Sequence, residues 1–536
     1  MAIHVTNDGD VIVAGYSQGD GTGYDYVVIR LTSTNQLVWS PVRYNLRAND
    51  IAADMAVDSN GHIYVTGYTW NGGSDDTEFL TIGLDSSGAM RSGWPQVFDA
   101  AGGTDEATGI AVHTDGSVFV TGYSTGDPPI EGVQYATLRY QGNGSLLWKA
   151  FLDPYQTSKG SRARDIALDI DGNAFVTGES AVSFSGGVAY HNYATVAYKR
   201  DGIGGVGQYL WSPNPTWRGY DGPPGGEDDR AVAIRTIREE SPFGGYNTFV
   251  YVTGKSTGSG TGYDIATLKY DGATGSPQWS GTGFHNGAKR YETSADDQGR
   301  ALFVAGAGNV YVVGNSGNDY ITVRYDKSGS QRWNPPMFYS TAYAVDIGRA
   351  VAVSCAGVVH VTGLSEGGSS TLNDFATVLY TQVSSSQSDG FTITTGTLLS
   401  GNLASLHNPD SNYLEVREYD DGTGGPRVIM EFTIASPYNN PSELCFEYQA
   451  YITDVGLGQV VRLWDWDSGA WVTLDSRNAS TAEQVLFVWD ANDPGRFVKN
   501  DGSRLVKAQV YYPFIDEVSP GWKVFVNVAR WYILPP

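Results

Sequence analysis

The chain has 536 residues, 41% hydrophobic and 12% aromatic, with 68 glycines and only 17% charged residues. Its formal net charge of −24 sets up a field that repels phosphate backbones and anionic lipid, so nucleic acid and membrane surfaces are poor partners. No apolar run reaches membrane-spanning length, and two cysteines, Cys355 and Cys445, cannot build a disulfide framework or a zinc site.

Met1 leads straight into an alternating run, Ala2-Ile3-His4-Val5-Thr6, with neither the basic nor the apolar region of a signal peptide; any leader is expected to lie outside this sequence. One phrase then recurs: a strand ending Val-Thr-Gly or a close variant, any residue, then Ser or Thr. Its copies close at Gly15-Tyr16-Ser17, Gly67-Tyr68-Thr69, Gly122-Tyr123-Ser124, Gly178-Glu179-Ser180, Gly254-Lys255-Ser256, Gly314-Asn315-Ser316 and Gly363-Leu364-Ser365. Self-similarity at a period of roughly 50 to 60 residues points to a propeller or a solenoid.

Each copy reads as four strands. A small-residue strand such as Arg349-Ala350-Val351-Ala352-Val353 comes first, then a turn such as Asp58-Ser59-Asn60-Gly61, Asp115-Gly116 or Asp171-Gly172. Asp-Gly and Asn-Gly supply the positive φ angles of two-residue hairpins. The Val-Thr-Gly strand follows, then an alternating strand (Tyr135 to Tyr140, Tyr193 to Tyr198, Asp264 to Tyr270, Asp319 to Tyr325, Asp374 to Tyr380), as expected of a sheet with two differently packed faces. A fourth strand is expected to carry Trp39, Trp94, Trp148, Trp211, Trp279 and Trp333. Small residues first and aromatics last make a wedge, which favours a closed propeller.

Two copies, Gly308-Asn309-Val310-Tyr311-Val312-Val313-Gly314 and Asp171-Gly172-Asn173-Ala174-Phe175-Val176-Thr177-Gly178, resemble the bacterial β-propeller repeat proteins with a Gly-Asn-Val-Tyr-Val-Thr-Gly core. The resemblance covers about residues 1–380 and implies an extracellular or envelope-facing propeller, usually seven-bladed. The seventh copy lacks a tryptophan strand. Anything pairing with Asp374 to Tyr380 is expected from residues 383–399; Phe391-Thr392-Ile393 is one candidate for the outer strand, a segment upstream of Met1 is the alternative, and closure without a regular outer strand is favoured.

A polar linker, residues 386–390, is expected after residue 385. Beyond it short alternating runs (Arg427 to Ile434, Leu444 to Ile452, Val460 to Trp466, Gln484 to Trp489, Leu505 to Tyr512, Trp522 to Tyr532) are the pattern of a β-sandwich or jelly roll over 391–536. The Leu463 to Trp471 stretch loosely resembles jelly-roll modules at the C-termini of large bacterial surface proteins. The predicted fold class is therefore all-β: a seven-bladed β-propeller over residues 1–385 followed by a β-sandwich domain.

Catalytic signatures are nearly absent: there is no nucleophile elbow, no His-Glu-x-x-His and no phosphate-binding glycine loop. Two acidic groups are possible calcium ligands, Asp169 with Asp171 and Asp228 with Asp229, although Asp-Gly already serves as turn chemistry. Aligning the innermost strands puts Arg164, Arg230, Arg300 and Arg349 at one repeat position beside Asp165, Asp229, Asp297 and Asp346. These arginines form either an inter-blade ion-pair ring or an anion site. The variable residue after the repeat glycine places Tyr16, Tyr68, Tyr123 and Lys255 on the same face, where the loops differ most; the tyrosines are either a sugar- or peptide-binding arc or inter-blade packing. In the C-terminal part, Val461 and Leu463 facing the core would turn Arg462, Trp464 and Trp466 outward, as a platform for carbohydrate or protein.

Two functions are carried. The first is an extracellular or cell-surface, non-enzymatic binding or scaffold protein that recognises a glycan or a protein on the loop-rich propeller face. The second is a polysaccharide hydrolase or lyase with its site at the propeller axis, for which an axial carboxylate pair would speak. No cofactor beyond calcium is expected.

Overall fold

Alternating sequence and glycine turns make strands throughout. The computed structural model describes residues 2–534 except 7–9, 22, 33–35, 73–75, 101–102, 126–131, 156–159, 186–187, 212–216, 223–227, 241–245, 259–261, 280–286, 306–307, 334, 342–344, 355–357, 367–373, 382–385, 408–411, 420–427, 440, 442, 490–493 and 514–520. Among the described residues the only helical segments are the short Leu403–Leu406 and Pro494–Phe497, and none is long and apolar enough to cross a membrane. Cys355 lies outside the described residues, and Cys445 is buried.

Between Ala2 and Thr381 the strands of the described residues form seven successive antiparallel sheets. Six have four strands in chain order; in the second these are Asp50–Val57, Ile63–Trp70, Thr77–Leu84 and Gln96–Phe98. The seventh has three, Asp346–Val353, Val358–Ser365 and Asp374–Thr381. Strand one of each sheet packs against strands one to three of the sheet before. Among the described residues no comparable packing joins the seventh sheet to the first.

The junctions reuse one set of contacts. Trp94, Trp148, Trp211, Trp279 and Trp333 each touch a ring of their own strand two (Tyr64, Phe119, Phe175, Tyr251, Tyr311) and a strand-three tyrosine of the next sheet (Tyr140, Tyr198, Tyr270, Tyr325, Tyr380). Four of the indoles also donate to a backbone carbonyl of the next sheet's region: Trp94 to Gly142, Trp148 to Arg200, Trp211 to Gly272 and Trp279 to Lys327. At the other end of strand three, Tyr26, Tyr135, Tyr193 and Tyr320 donate to the carbonyls of Leu80, Ala194, Ala266 and Ala376. A buried hydroxyl or indole needs such an acceptor, so these bonds fix how neighbouring sheets sit.

Two expectations are corrected here. Of the six tryptophans only Trp148 lies in a strand, Leu146–Leu152; the others precede the short fourth strand, where the chain can tuck an indole between sheets. The hairpins are three-residue loops rather than two-residue ones. Asp58, His113 and Asp169 donate backbone N–H to His62, Ser117 and Asn173, and the φ angles of Gly61, Gly116 and Gly172 are 77°, 82° and 80°. One glycine at positive φ suffices in this turn.

The constant Ser or Thr also has a cause. Strand one starts at, or directly after, a buried Asp in five sheets: Asp50, Asp105, Asp297 and Asp346 open theirs and Asp229 precedes Arg230–Glu240. Each accepts a backbone N–H from the preceding loop, from Leu46, Ala100, Gly222, Thr293 and Thr341 at 2.6–2.8 Å. The strand-two hydroxyl lies opposite, as where Ser365 donates to Asp346 at 2.5 Å. In the fourth sheet Ser161 stands in that place and bonds Ser180 and Asp153.

From residue 386 on, two antiparallel sheets share one core. A six-stranded sheet runs Thr397–Ser400, Leu414–Arg417, Lys523–Leu534, Glu443–Ile452 and Gln484–Trp489, with Ser386–Gln387 also paired to Lys523–Leu534. A five-stranded sheet runs Gly390–Thr395, Ile429–Ala435, Leu505–Tyr511, Gly458–Asp465 and Ala470–Asn478. Met430, Phe432, Leu463 and Val510 from one sheet meet Phe446, Val526 and Trp531 from the other in a single cluster.

The stretch read as a linker is tied into these sheets. The indole of Trp531 donates to Ser388, whose hydroxyl donates to the Ala529 carbonyl. Phe391-Thr392-Ile393 pairs with Ile429–Ala435 and does not close the seventh repeat sheet. Among the described residues Asp374–Thr381 pairs only with Val358–Ser365.

Candidate functional site

The start of strand one and the end of strand two lie side by side in sheets two to seven, so the candidate residues there gather at one end of the array. Strand one of sheets two to seven carries a register shift at the same place, making Ala53, Thr108, Arg164, Val232, Arg300 and Arg349 the extra residues of six equivalent bulges. A bulge re-aims its side chain. Arg164, Arg300 and Arg349 thus share a position, but Arg230 does not: it pairs with Lys255 as Arg162 pairs with Glu179, and Val232 occupies the bulge of its sheet. Counting residues without the bulge misaligned it. Asp165 likewise differs in position from Asp229, Asp297 and Asp346.

Within this belt most charges already have partners. Arg164 grips Glu179 with Nε at 2.9 Å and Nη2 at 2.5 Å. Arg230 Nε lies 2.9 Å from both oxygens of Asp228, which also meets His191 Nδ1 at 3.0 Å, Tyr263 Oη at 3.2 Å and Lys255 Nζ at 3.3 Å. Burial opposes ionisation of Asp228, but the hydrogen bonds from His191 and Arg230 and the nearby cations outweigh it and hold its carboxyl well below the usual range. Lys255 also sits 3.7 Å from the Tyr263 ring centroid. Arg300 Nε donates to Asn315 Oδ1 at 2.9 Å and Nη2 to Gln298 at 3.2 Å, both neutral. Arg349 is exposed.

Arg164 and Arg230 pair within their own sheets, whereas Asp165 meets Arg235 and Asp228 meets His191 across the junction between the fourth and fifth sheets. Tyr16 is 42% exposed and meets Tyr24 edge-on at 5.5 Å. Tyr68 and Tyr123 are half-buried. Burial, and then its hydrogen bond to Glu106, push the Tyr123 phenol up, while Arg162 lies over its ring.

The acidic groups have structural partners. Asp169 Oδ1 accepts the N–H groups of Asp171 and Asn173, and Asn173 donates to its Oδ2; this closes the hairpin, beside a hollow of about 430 Å³ that Asp171, Asn173, Lys199 and Arg200 help to line. Asp229 is the buried strand-one Asp of its sheet. Among the described residues no group of three His, Cys, Asp or Glu side chains is placed to hold a metal ion.

Sequence reasoning missed Asp54, next to the bulge of the second sheet. Its carboxylate accepts the N–H of Ile110 at 3.0 Å, as Asp165 accepts that of Ile234 while also meeting Arg235 at 2.8 Å. Burial and then the charge of Asp165 push the Asp54 carboxyl up to about 6.

The other site lies on the five-stranded C-terminal sheet. Register pairing lines Thr392, Glu431, Gln509, Arg462 and Thr473 in one row across its strands. Their neighbours Met430, Phe432, Leu463, Ala508 and Val510 point into the core, so the row faces away from it. Gln509 Nε2 donates to Glu431 at 2.8 Å, and Arg462 Nε donates to Gln509 Oε1 at 2.8 Å. Arg462 also lies over two rings, 5.3 Å from the Trp471 centroid and 4.6 Å from that of Tyr511. Trp464 meets Trp471 at 5.2 Å and Trp466 at 6.2 Å, both edge-on, and Lys499 and Lys507 flank Trp466. Trp464 and Trp466 are half-buried rather than freely exposed. Sequence parity turned Arg462 and Trp464 outward but missed Glu431, Gln509, Trp471 and Tyr511, because which strands neighbour one another is not written in any one of them.

Residues 45–73 match the family model described as Beta-propeller repeat (SBBP), a span that covers strand one, the hairpin and strand two of the second sheet. No curated protein matches the chain. Among solved structures it is similar to polysaccharide lyase Uly1 at 11% identity, covering 71% of this chain and 89% of that one with a TM-score of 0.38. A protein of unknown function from Bacteroides caccae gives 12% identity, 61% and 94% coverage and a TM-score of 0.31. An exo-β-1,3-galactanase from Phanerochaete chrysosporium gives 10% identity, 86% and 100% coverage and a TM-score of 0.27. Likeness at this level carries no argument about function. The chain is all-β and contains a β-propeller repeat.

Proposed function

We propose that this chain is a non-enzymatic binding protein of the cell surface or extracellular space, and that its C-terminal sheets bind a glycan. In this reading the seven repeat sheets are the blades of a seven-bladed propeller and the two C-terminal sheets form a β-sandwich. The observation that carries it is the Glu431–Gln509–Arg462 row flanked by Trp464, Trp471 and Tyr511. The C–H faces of a sugar ring pack on aromatic planes, and its hydroxyls need convergent donors and acceptors held in place beforehand. Both lie within one strip, and the internal hydrogen bonds fix the polar groups before any ligand arrives. The loop-rich end of the repeat array, with Tyr16, Tyr68, Tyr123 and Lys255, is the second recognition surface, for a glycan or a protein.

A screen of the full chain against immobilised plant, fungal and bacterial polysaccharides tests this reading. Trp464→Ala combined with Trp471→Ala should weaken binding of the best polysaccharide at least tenfold, about 1.4 kcal/mol, with the melting temperature little changed. Undiminished binding by the double variant, or no polysaccharide bound by the unaltered chain, overturns the reading.

A polysaccharide-cleaving enzyme is the second reading, and Asp54 beside Asp165 is what favours it, since a carboxyl titrating near 6 suits a general acid. Against it, each carboxylate accepts the N–H of a neighbouring sheet's strand one. Release of reducing or unsaturated ends from a bound polysaccharide, lost in Asp54→Asn, would decide for the enzyme.

A further inference from the structure

The equivalent bulges allow one repeat position to be compared across three sheets that each present an arginine there. In the fourth sheet the strand-two residue paired two positions before the bulge is Glu179, and Arg164 holds its carboxylate through two nitrogens. In the sixth sheet the same place is taken by Asn315, and Arg300 makes the same Nε contact at the same 2.9 Å, but to a neutral amide. In the seventh it is Leu364, paired with Ile347, which offers Arg349 no acceptor.

The sixth and seventh sheets therefore keep the bulge arginine but lack the carboxylate that Glu179 supplies to it in the fourth. Strands one of these two sheets pack together, so the two cations are neighbours. Burial and then the charge of Arg349 hold Arg300 below its ordinary value. In a protein of net charge −24, like charges left side by side without an acidic partner are costly unless something anionic completes them. Around Arg164, Arg230 and Arg290 this chain provides Glu179, Asp228 and Asp264. Among the described residues it provides none for Arg300 or Arg349.

We propose that Arg300 and Arg349 form a binding site for a carboxylate, and that the group is the carboxylate of an acidic sugar. Asn315 holds Arg300 Nε and Gln298 holds its Nη2, so Arg300 Nη1 and the exposed Arg349 guanidinium are the donors offered to the ligand. Gln298, on the same strand as Arg300 and already bonded to it, adds an amide for a hydroxyl next to the carboxylate, which a uronic acid has and a simple acid lacks. The site is distinct from the C-terminal strip and does not depend on it.

The test is calorimetric or NMR titration of the full chain with glucuronate, with glucose, sulfate and N-acetylglutamate as comparison probes. Glucuronate should bind, sulfate should displace it, glucose should not bind detectably, and N-acetylglutamate should bind more weakly. Arg349→Gln should weaken glucuronate at least tenfold. Asn315→Glu with Leu364→Glu should do the same with both arginines intact, because each arginine then gains the carboxylate that Glu179 gives Arg164 and is occupied by it. That variant should also melt no lower than the parent, which separates a filled site from a damaged fold. Glucuronate binding that is absent, that survives both variants, or that is matched by glucose overturns the proposal; tighter binding of N-acetylglutamate overturns its assignment to a sugar.

Discussion

The repeat array and the C-terminal sheets are both antiparallel, aromatic and acidic, yet they use their aromatic and polar side chains for different ends. In the array the core of the described residues is divided into six clusters, one at each junction between successive sheets. Tryptophans, tyrosines and aspartates there bridge one sheet to the next or one loop to its strand. The C-terminal sheets close over a single cluster, which leaves the outer face of the five-stranded sheet outside any core. Its tryptophans touch one another, an arginine and two lysines. An aromatic residue signals recognition only where the packing has no use for it.

The largest effect that bears on this contrast is Trp211→Ala. Trp211 is fully buried, packs on Phe175 and Tyr270 and donates to Gly272 at 2.8 Å. Deleting it opens a cavity at a sheet junction and strands the Gly272 carbonyl, so a loss of ~3–5 kcal/mol is expected. Trp464→Ala, on the outer face, should cost ~1 kcal/mol or less. Denaturant unfolding of both variants measures the difference, and equal losses would erase the distinction drawn between the two regions.

A second effect, of ~2–3 kcal/mol, is tied to pH. The folded-state carboxyl of Asp54 titrates at about 6, above its ordinary 3.8. A folded value above the unfolded one means that the native state resists ionisation. The cost is fully present above about pH 6 and is relieved as the pH falls from there towards 4. Asp54→Asn carries no charge at any pH. Its stability relative to the parent should therefore be higher at pH 7.5 than at pH 4.5, read as the difference between paired unfolding curves. A difference that is flat with pH, or that grows on acidification, would show that the neighbouring N–H groups and Arg235 keep Asp54 ionised.

Much of this was legible in the sequence, and the gaps have physical causes. The repeat marked strands one, two and three, because Val-Thr-Gly with a following hydroxyl is both a pattern and a contact: the hydroxyl meets the buried Asp that opens strand one. The fourth strand was misplaced since it is only three residues long in several sheets, as in Val42–Tyr44 and Gln96–Phe98, and the conspicuous tryptophan beside it sits in the preceding turn. Arg230 was misaligned because a bulge adds a residue that no local pattern announces. In the C-terminal sheets alternation gave the face of Arg462 and Trp464 correctly. The row they belong to needed the order of the strands, which joins Glu431, Gln509 and Arg462 from positions up to 78 residues apart.

The smallest expected effect concerns Tyr16, at the loop-rich end of the array. With 42% of its surface exposed and one edge-on ring contact to Tyr24 at 5.5 Å, Tyr16→Ala should lower stability by ~0.5 kcal/mol, the worth of one exposed aromatic pair. Tyr123→Ala should cost more, ~1–2 kcal/mol, because it removes a half-buried ring, its hydrogen bond to Glu106 and the surface under Arg162. The three tyrosines occupy the same repeat position, so a shared structural role predicts equal losses, whereas a recognition role predicts the graded series. Unfolding curves of the single variants at one pH give the order. If Tyr16→Ala proves as destabilising as Tyr123→Ala, the exposed ring is part of the packing after all, and the loop-rich end loses its best candidate for touching a ligand.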